Sequence, residues 1–358
     1  MDVSRLAAER PTPPIVRGVN TWPSGDPEHY AEIARWGANC IRLLVLVGGT
    51  AKIAKDMEKD FWDAWPAILD RVEKSVRLAK EAGLKVIVDL HNPPIPNLEA
   101  RDTKALWEHP DLEKSFCRAW KDLAQRLLPH KEAIWAYDLY NEPLDWGQFP
   151  KAPKQWRPLA IKIIETIRTV DPDVWIVYEV GPGSWYRGFD GLVPLPDYHV
   201  IYGGHFYHPQ AFTYQGAKTT KGTDLAEAME KINVRYPSAV KDVRWDKKQI
   251  EKMHEDVEKF RRQWKVPIFI GEFSVVRWAP KEDALHWLQD VLDTFEANGY
   301  SWAYHAFRTY NGWSLEHDET FWMPGAPPPE PSKIETERAK LVKAYLKRNR
   351  NQAEGKNP

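Results

Sequence analysis

Eight short apolar runs, set apart by stretches with helical spacing, limit what this chain can fold into. They occupy residues 15–20, 40–46, 85–91, 134–143, 175–179, 200–205, 267–273 and 300–304. Near-continuous Val/Ile/Leu runs suit strands of a parallel sheet buried on both faces. Between them apolar residues recur every three to four positions, as at Tyr30, Ile33 and Trp36, or Trp65, Ile68, Leu69, Val72, Val76 and Ala79. Gly83 stands where the left-handed residue that ends such a helix belongs. Further helices are predicted through Leu112–Leu127, Pro158–Val170, Ile250–Trp264, Ala284–Phe295 and Ile334–Leu346. The segment between the fifth and sixth runs is too short for a full helix, so a loop or a single turn is expected there. Strands alternating with helices, with no linker-like break, predict one (β/α)8 TIM barrel. The whole chain, 1–358, is read as a single domain with its core over about 15–348.

Composition narrows the function. Net charge is −1, which leaves no field for a nucleic acid or an anionic membrane surface. Apolar residues make up 43% of the chain. No uninterrupted run approaches the ~18 residues of a membrane span. Cys40 and Cys117 have no cysteine or histidine at zinc-site spacing and read as small core residues. The first ten residues lack the apolar core of a secretory leader. Eighteen tryptophans stand out. Most are expected to be packing mass, and some to offer flat faces to sugar rings in a cleft.

In this architecture the C-terminal ends of the strands form the active rim. Arg42, His91, Asn141, Glu142, Glu179, His205, Tyr207 and Glu272 all fall at or near such ends, a dense polar set on otherwise apolar strands. The runs 134–143 and 267–273 deliver Glu142 and Glu272. Paired carboxylates on one rim are the minimum equipment for cutting a glycosidic bond.

These residues carry a resemblance. Asn141–Pro143 resembles the acid/base motif of family 5 glycoside hydrolases, and Gly271–Phe273 their nucleophile motif; Arg42, His91 and His205–Tyr207 stand where that family places supporting residues. The resemblance runs over roughly residues 15–345 and implies a retaining (β/α)8 glycosidase with a carbohydrate substrate, no cofactor and no metal. It implies Glu272 as nucleophile and Glu142 as acid/base, with carboxyls about 5 to 5.5 Å apart. Arg42 would hold Glu272 ionised and Tyr207 would hydrogen-bond it. Burial beside a second carboxylate would keep Glu142 protonated. Asn141 would reach the sugar 2-hydroxyl, while His91 and His205 orient hydroxyls or the acid/base network.

One departure concerns the floor under the sugar. Many relatives end the eighth strand with a tryptophan, where this chain has His305. His305, Trp313, Trp185, Trp278 and Glu179 are the candidates for substrate contact. An endo-β-1,4-glucanase, secreted and monomeric, is the leading expectation. β-Mannanase, xyloglucanase, β-1,3-glucanase and glycolipid-cleaving activities remain open on the same scaffold. Two readings from other classes are a non-catalytic carbohydrate-binding barrel and a metal-dependent hydrolase using Asp89, His91, His205 and His208; against the second, Arg42 is a poor neighbour for a dication.

Overall fold

The structure is a computed structural model that describes residues 11–45, 51–95, 103–217, 232–322, 326–327 and 329–349. Its strands, in chain order, are β1 (Arg17–Thr21), β2 (Cys40–Leu44), β3 (Lys85–Asp89), β4 (Ile134–Asp138), β5 (Trp175–Glu179), β6 (Val200–Phe206), β7 (Ser238–Val240), β8 (Val243–Trp245), β9 (Ile268–Phe273) and β10 (Ser301–Tyr304). Eight of them close a parallel barrel in the order β1-β10-β9-β6-β5-β4-β3-β2, and β7 and β8 form a separate antiparallel hairpin. The fold is the (β/α)8 barrel that the alternation predicts. Its helices are α1 (Pro27–Arg35), α2 (Ala51–Glu81), α3 (Thr103–Trp107), α4 (Leu112–Leu127), α5 (Trp156–Arg168), α6 (Gln210–Thr213), α7 (Lys247–Met253), α8 (Glu255–Trp264), α9 (Lys281–Asn298) and α10 (Glu337–Leu346). Between β5 and β6 the chain makes one 3-10 turn, Tyr186–Phe189, in place of a helix.

The barrel interior is layered by the two-residue period of its strands. Cys40, Ile87, Ala136, Val177, Ile201, Phe269 and Ala303 pack together as an apolar plug. Two residues further along four of these strands stand Arg42, Asp89, Asp138 and Glu179, all buried. The apolar plug is therefore capped by a charged layer at the C-terminal ends. A second, larger core fills the space between barrel and helices. Several tryptophans there act as donors to carbonyls at or beyond the strand ends, where the ladder stops. Trp120 donates to Leu139 O at 2.9 Å, Trp156 to Glu179 O at 2.8 Å, Trp107 to Leu144 O at 2.8 Å and Trp287 to His208 O at 2.9 Å. Each indole thus adds apolar mass and satisfies a buried acceptor.

Departures from the expected boundaries have local causes. The apolar runs ending at 46, 91 and 143 outlast β2, β3 and β4, because Val45, Leu90 and Leu139 stay buried at the loop bases and donate to the next strand only. The single helix expected through Ile250–Trp264 is two helices. His254 Nδ1 donates to Ile250 O at 2.8 Å, taking the carbonyl that its own backbone N–H would use, and that N–H turns instead to Glu251 O. The last helix begins at Glu337, where Thr336 caps it by accepting from Ala339 N, and Ile334 lies outside it, 77% exposed. The short helices α3 and α6 and the β7–β8 hairpin carry too few residues for their periodicity to show. The loop in which a cleft could be blocked, 206–246, includes residues 218–231, outside the described ones.

Strand β1 lies tight against β2. A Cβ at Gly18 would sit 2.0 Å from the Cys40 carbonyl oxygen, a backbone atom held in the sheet. Gly18→Ala is expected to lower stability by ~2 kcal/mol or more, since the strand must move to accept it. Urea unfolding would read this, and an unchanged midpoint would contradict the packing.

Candidate active site

Arg42 lies at the centre of the charged layer and is fully buried. Its Nε donates to Asp138 Oδ2 at 2.8 Å, Nη1 to Glu272 Oε1 at 2.9 Å and to Asn20 Oδ1 at 3.1 Å, and Nη2 to Glu179 Oε1 at 2.6 Å and Asn141 Oδ1 at 2.9 Å. Asp89 Oδ1 lies 3.1 Å from Nη2 as a further ion pair. Asn20 in turn donates to the Gly271 carbonyl at 2.8 Å, one residue before Glu272. Burying a guanidinium is tolerable only when its charge and its donors are met this completely.

Glu272 sits at the end of β9. A register shift between Gly204 and His205 sets His205 opposite Glu272. Such bulges re-aim side chains at barrel rims. Glu272 Oε2 accepts from the Tyr207 hydroxyl at 2.8 Å, and His305 Nδ1 is 3.4 Å away. Burial alone would raise the Glu272 carboxyl, but the charges of His305, His205, Arg42 and His91 outweigh it and hold it well below the usual carboxylate range. Burial also pushes His305 down to about 4. Near neutrality His305 is therefore uncharged, and His205 and Arg42 remain to hold Glu272 ionised.

Glu142 follows β4 in left-handed backbone, φ 48°. That conformation is unfavourable for a residue with a Cβ and needs a partner to hold it. Glu179 supplies one: its Oε2 accepts from Glu142 N at 2.8 Å and also from the Ser184 hydroxyl. Glu142 Oε1 meets His205 Nδ1 at 2.8 Å, and His205 Nε2 lies 3.2 Å from Glu179 Oε1, too poorly aligned to count as a hydrogen bond. Burial opposes charge on His205, but Glu179, Glu272 and its bond to Glu142 outweigh it and raise its pKa well above the imidazole value. Burial likewise opposes charge on Glu179, and His205 and Arg42 hold it down at about 2. Asp138 goes the other way: burial and the Glu179 charge raise it well above its ordinary value, while its ion pair with Arg42 opposes the rise.

The structure thus brings Arg42, Asn141, Glu142, Glu179, His205, Tyr207, Glu272 and His305 together, with His91 held at 2.7 Å by Asp89. It corrects three expectations. Glu142 is not buried beside the second carboxylate; its side chain is 42% exposed, because its left-handed backbone turns it up out of the layer. Glu179 is not placed to touch a sugar, being buried with both oxygens engaged inside. Trp278 and Trp313 are packing residues rather than open faces. Trp278 donates to Gln215 O at 2.6 Å with Phe321 over it, and Trp313 is wedged against Tyr207, Tyr214 and Tyr310. Trp185 is partly exposed, against Phe149.

Sequence reading passed over Asn20, Asp138 and Ser184. The first two follow Gly18 and Ala136 by two residues, the offset at which Arg42 follows Cys40, and that offset was the available signal. Among the described residues, two groups have donor atoms within 4.8 Å of one another: Glu142 with His205 and Glu272, and Asp89 with Asp138 and Glu179. Both border the Arg42 guanidinium, whose charge opposes a dication. His208 stacks on Trp245, apart from either group.

The pattern that defines Cellulase (glycosyl hydrolase family 5) matches residues 7–311. The chain belongs to glycosyl hydrolase family 5. The family 5 enzyme is accordingly a glycosidase that hydrolyses O-glycosyl bonds. Endoglucanase C of Acetivibrio thermocellus is 27% identical to it over 266 residues, 68% of this chain and 75% of that protein. Cellodextrinase A of Ruminococcus flavefaciens is 23% identical over 275 residues, 75% of this chain and 74% of that one. The crystal structure of a hyperthermophilic endo-β-1,4-glucanase in complex with substrate matches with a TM-score of 0.66 at 23% identity, covering 90% of this chain and 97% of that one. The last comparison places the family 5 enzyme in the same fold.

The two histidines beside the carboxylates act on stability in opposite directions. His205, with its pKa raised, stabilises the fold fully below the unfolded value near 6.5, and this is lost as pH rises through the folded value. His305, depressed to about 4, stabilises above 6.5 and loses this as pH falls toward 4. His205→Gln should therefore flatten the alkaline side of the stability profile and His305→Gln the acidic side, read as urea midpoints from pH 4 to 9. Effects on the same side would contradict the assigned charges.

Proposed function

We propose that this family 5 enzyme is a retaining endo-β-1,4-glucanase, with Glu272 as nucleophile and Glu142 as acid/base. The spacing of the two carboxylates carries the stereochemical part: one oxygen of each lies within 4.8 Å of the other. Inverting enzymes hold their carboxyls ~6.5–9.5 Å apart to admit a water, and retaining enzymes ~5–5.5 Å. In this reading Glu272, ionised among Arg42, His205 and Tyr207, attacks the anomeric carbon. Glu142, with Oε1 engaged by His205, gives a proton from its free oxygen to the departing glycosidic oxygen. Bond formation consumes the charge on Glu272, and Glu142 then takes a proton from the water that releases the sugar. Asn141, oriented by Arg42, is the group for the 2-hydroxyl.

The β-1,4-glucan part rests on the relatives' names, endoglucanase and cellodextrinase. Endo action is supported by three aromatic rings near the acid/base. Trp146, 47% exposed, lies 5.6 Å from Phe149, and Phe149 lies 5.4 Å from Trp185, with Arg187 over Phe149 and Trp185. Gly183, two residues before Trp185, bonds to the Pro143 carbonyl at 2.9 Å, next to Glu142. The leaving sugars lie on the acid's side of the cut, so these rings suit a chain continuing beyond it. Secretion, expected from the resemblance, accords with a polymer that cannot enter a cell.

Glu142→Gln should lower turnover of oligosaccharides by ~100-fold or more while sparing the glycosylation step with dinitrophenyl glycosides, whose leaving group needs no proton. Equal losses on both would remove Glu142 as the acid.

Soluble β-1,4-glucan, β-1,3-glucan, xyloglucan and β-mannan, each digested by wild type, Glu272→Ala and Trp146→Ala, test the remainder. Mixed-length early products from β-1,4-glucan are expected with wild type and none with Glu272→Ala. Trp146→Ala should raise KM for polymer several-fold and leave aryl glycosides unchanged. Products of a single length, or preference for another backbone, would overturn the endoglucanase reading.

A further inference from the structure

Arg277 and Arg338 are fully buried, far from any role in the chemistry above, and their charges are poorly met. Arg277 lies in the loop after β9, and Arg338 in the first turn of α10, the end of a helix that disfavours a cation. Their guanidinium groups converge. Arg277 Nη1 donates to the Asp318 carbonyl at 2.6 Å, and Arg338 Nη2 to the preceding carbonyl, His317 O, at 3.0 Å. Arg277 Nε also donates to Asn311 Oδ1 at 3.0 Å.

Carbonyls and an amide satisfy N–H groups without neutralising charge. Among the described residues, Asp318 lies 3.6 Å from Arg277 on a side chain 63% exposed to water, and Glu319 acts on both guanidinium groups without forming an ion pair with either. Three donors, Arg277 Nη2 and Arg338 Nε and Nη1, are buried with no partner. Burial depresses both guanidinium pKa values, and the Arg338 charge depresses Arg277 further. Contrast Arg42, whose buried charge is met by four carboxylates. Two buried like charges with unused donors are costly unless something of opposite sign sits between them.

We infer that Arg277 and Arg338 form a binding site for a small inorganic anion of halide size, held by the three unpartnered guanidinium N–H groups. The site joins three parts of the rim. Arg277 N bonds to Gly312 O at 2.8 Å, Trp313 follows and packs on Tyr207, and Tyr207 bonds to Glu272. The anion would thus lock the wall behind the tyrosine that contacts the nucleophile, while touching no reacting group.

Thermal unfolding of the full chain in sodium chloride, sodium bromide and sodium gluconate at one ionic strength tests this, for wild type, Arg338→Met and Arg277→Met. Chloride and bromide are expected to raise the wild-type Tm saturably, by ~5 °C over gluconate. Either variant should lose that rise and, in gluconate, be at least as stable as wild type, since it removes an unmet buried charge. Crystals in bromide should show an anomalous peak between the two guanidinium groups. Equal Tm values in the three salts, a halide response kept by a folded variant, or no bromide peak would each overturn the site. The bromide experiment decides it if neither variant folds.

Discussion

The Arg42 guanidinium is the group on which the rest of the site depends. It sits where water cannot reach it, and its partners come from separate strands: Asn20 from β1, Asp89 from β3, Asp138 from β4, Glu179 from β5 and Glu272 from β9. A buried cation must be met on every side, and removing one partner of such an arrangement leaves an uncompensated charge. Closure of the barrel and placement of the nucleophile are therefore one problem with one solution. The ring brings the carboxylates to the cation, and the cation holds the carboxylates at the ring's centre.

The same charges divide the labour between the two glutamates. Glu272 lies within the layer, where Arg42 and His205 keep it ionised. Glu142 stands above the layer, because its backbone is turned to the left-handed region and pinned there by Glu179. His205 touches both ends of this arrangement, bonded to Glu142 and close to Glu179 and Glu272. Two like side chains thus occupy different environments through geometry that neither residue could impose alone.

Arg42 was visible in the sequence because a charge inside an apolar run calls for a reason. Asp138 carries the same information inside the run 134–143, but the polar pair Asn141–Glu142 at the end of that run drew the reading instead. Glu179 was visible as a rim residue and misread as a sugar contact, since a strand end does not say whether the side chain points up into a cleft or inward to a cation. The tryptophans were legible as mass and not as donors. Which carbonyl Trp156 or Trp120 would meet depends on where a distant strand stops. The break at His254 depends on an imidazole reaching back four residues, and a hydrophobic period cannot register that.

What the sequence determined by itself was the alternation of strand and helix, a polar set at the strand ends, and the glutamates Glu142 and Glu272 on one rim. These follow from local periods of two and of three to four residues, which survive without knowledge of any other part of the chain. Tertiary structure alone decided the distance between Glu142 and Glu272, the upward pKa shifts of Asp138 and His205, and which aromatic rings stay open to solvent. Those quantities are set by interactions between groups far apart in sequence, across a closed ring with a register shift at Gly204–His205. Electrostatic energy depends on separation and burial, and neither exists until the ring has closed.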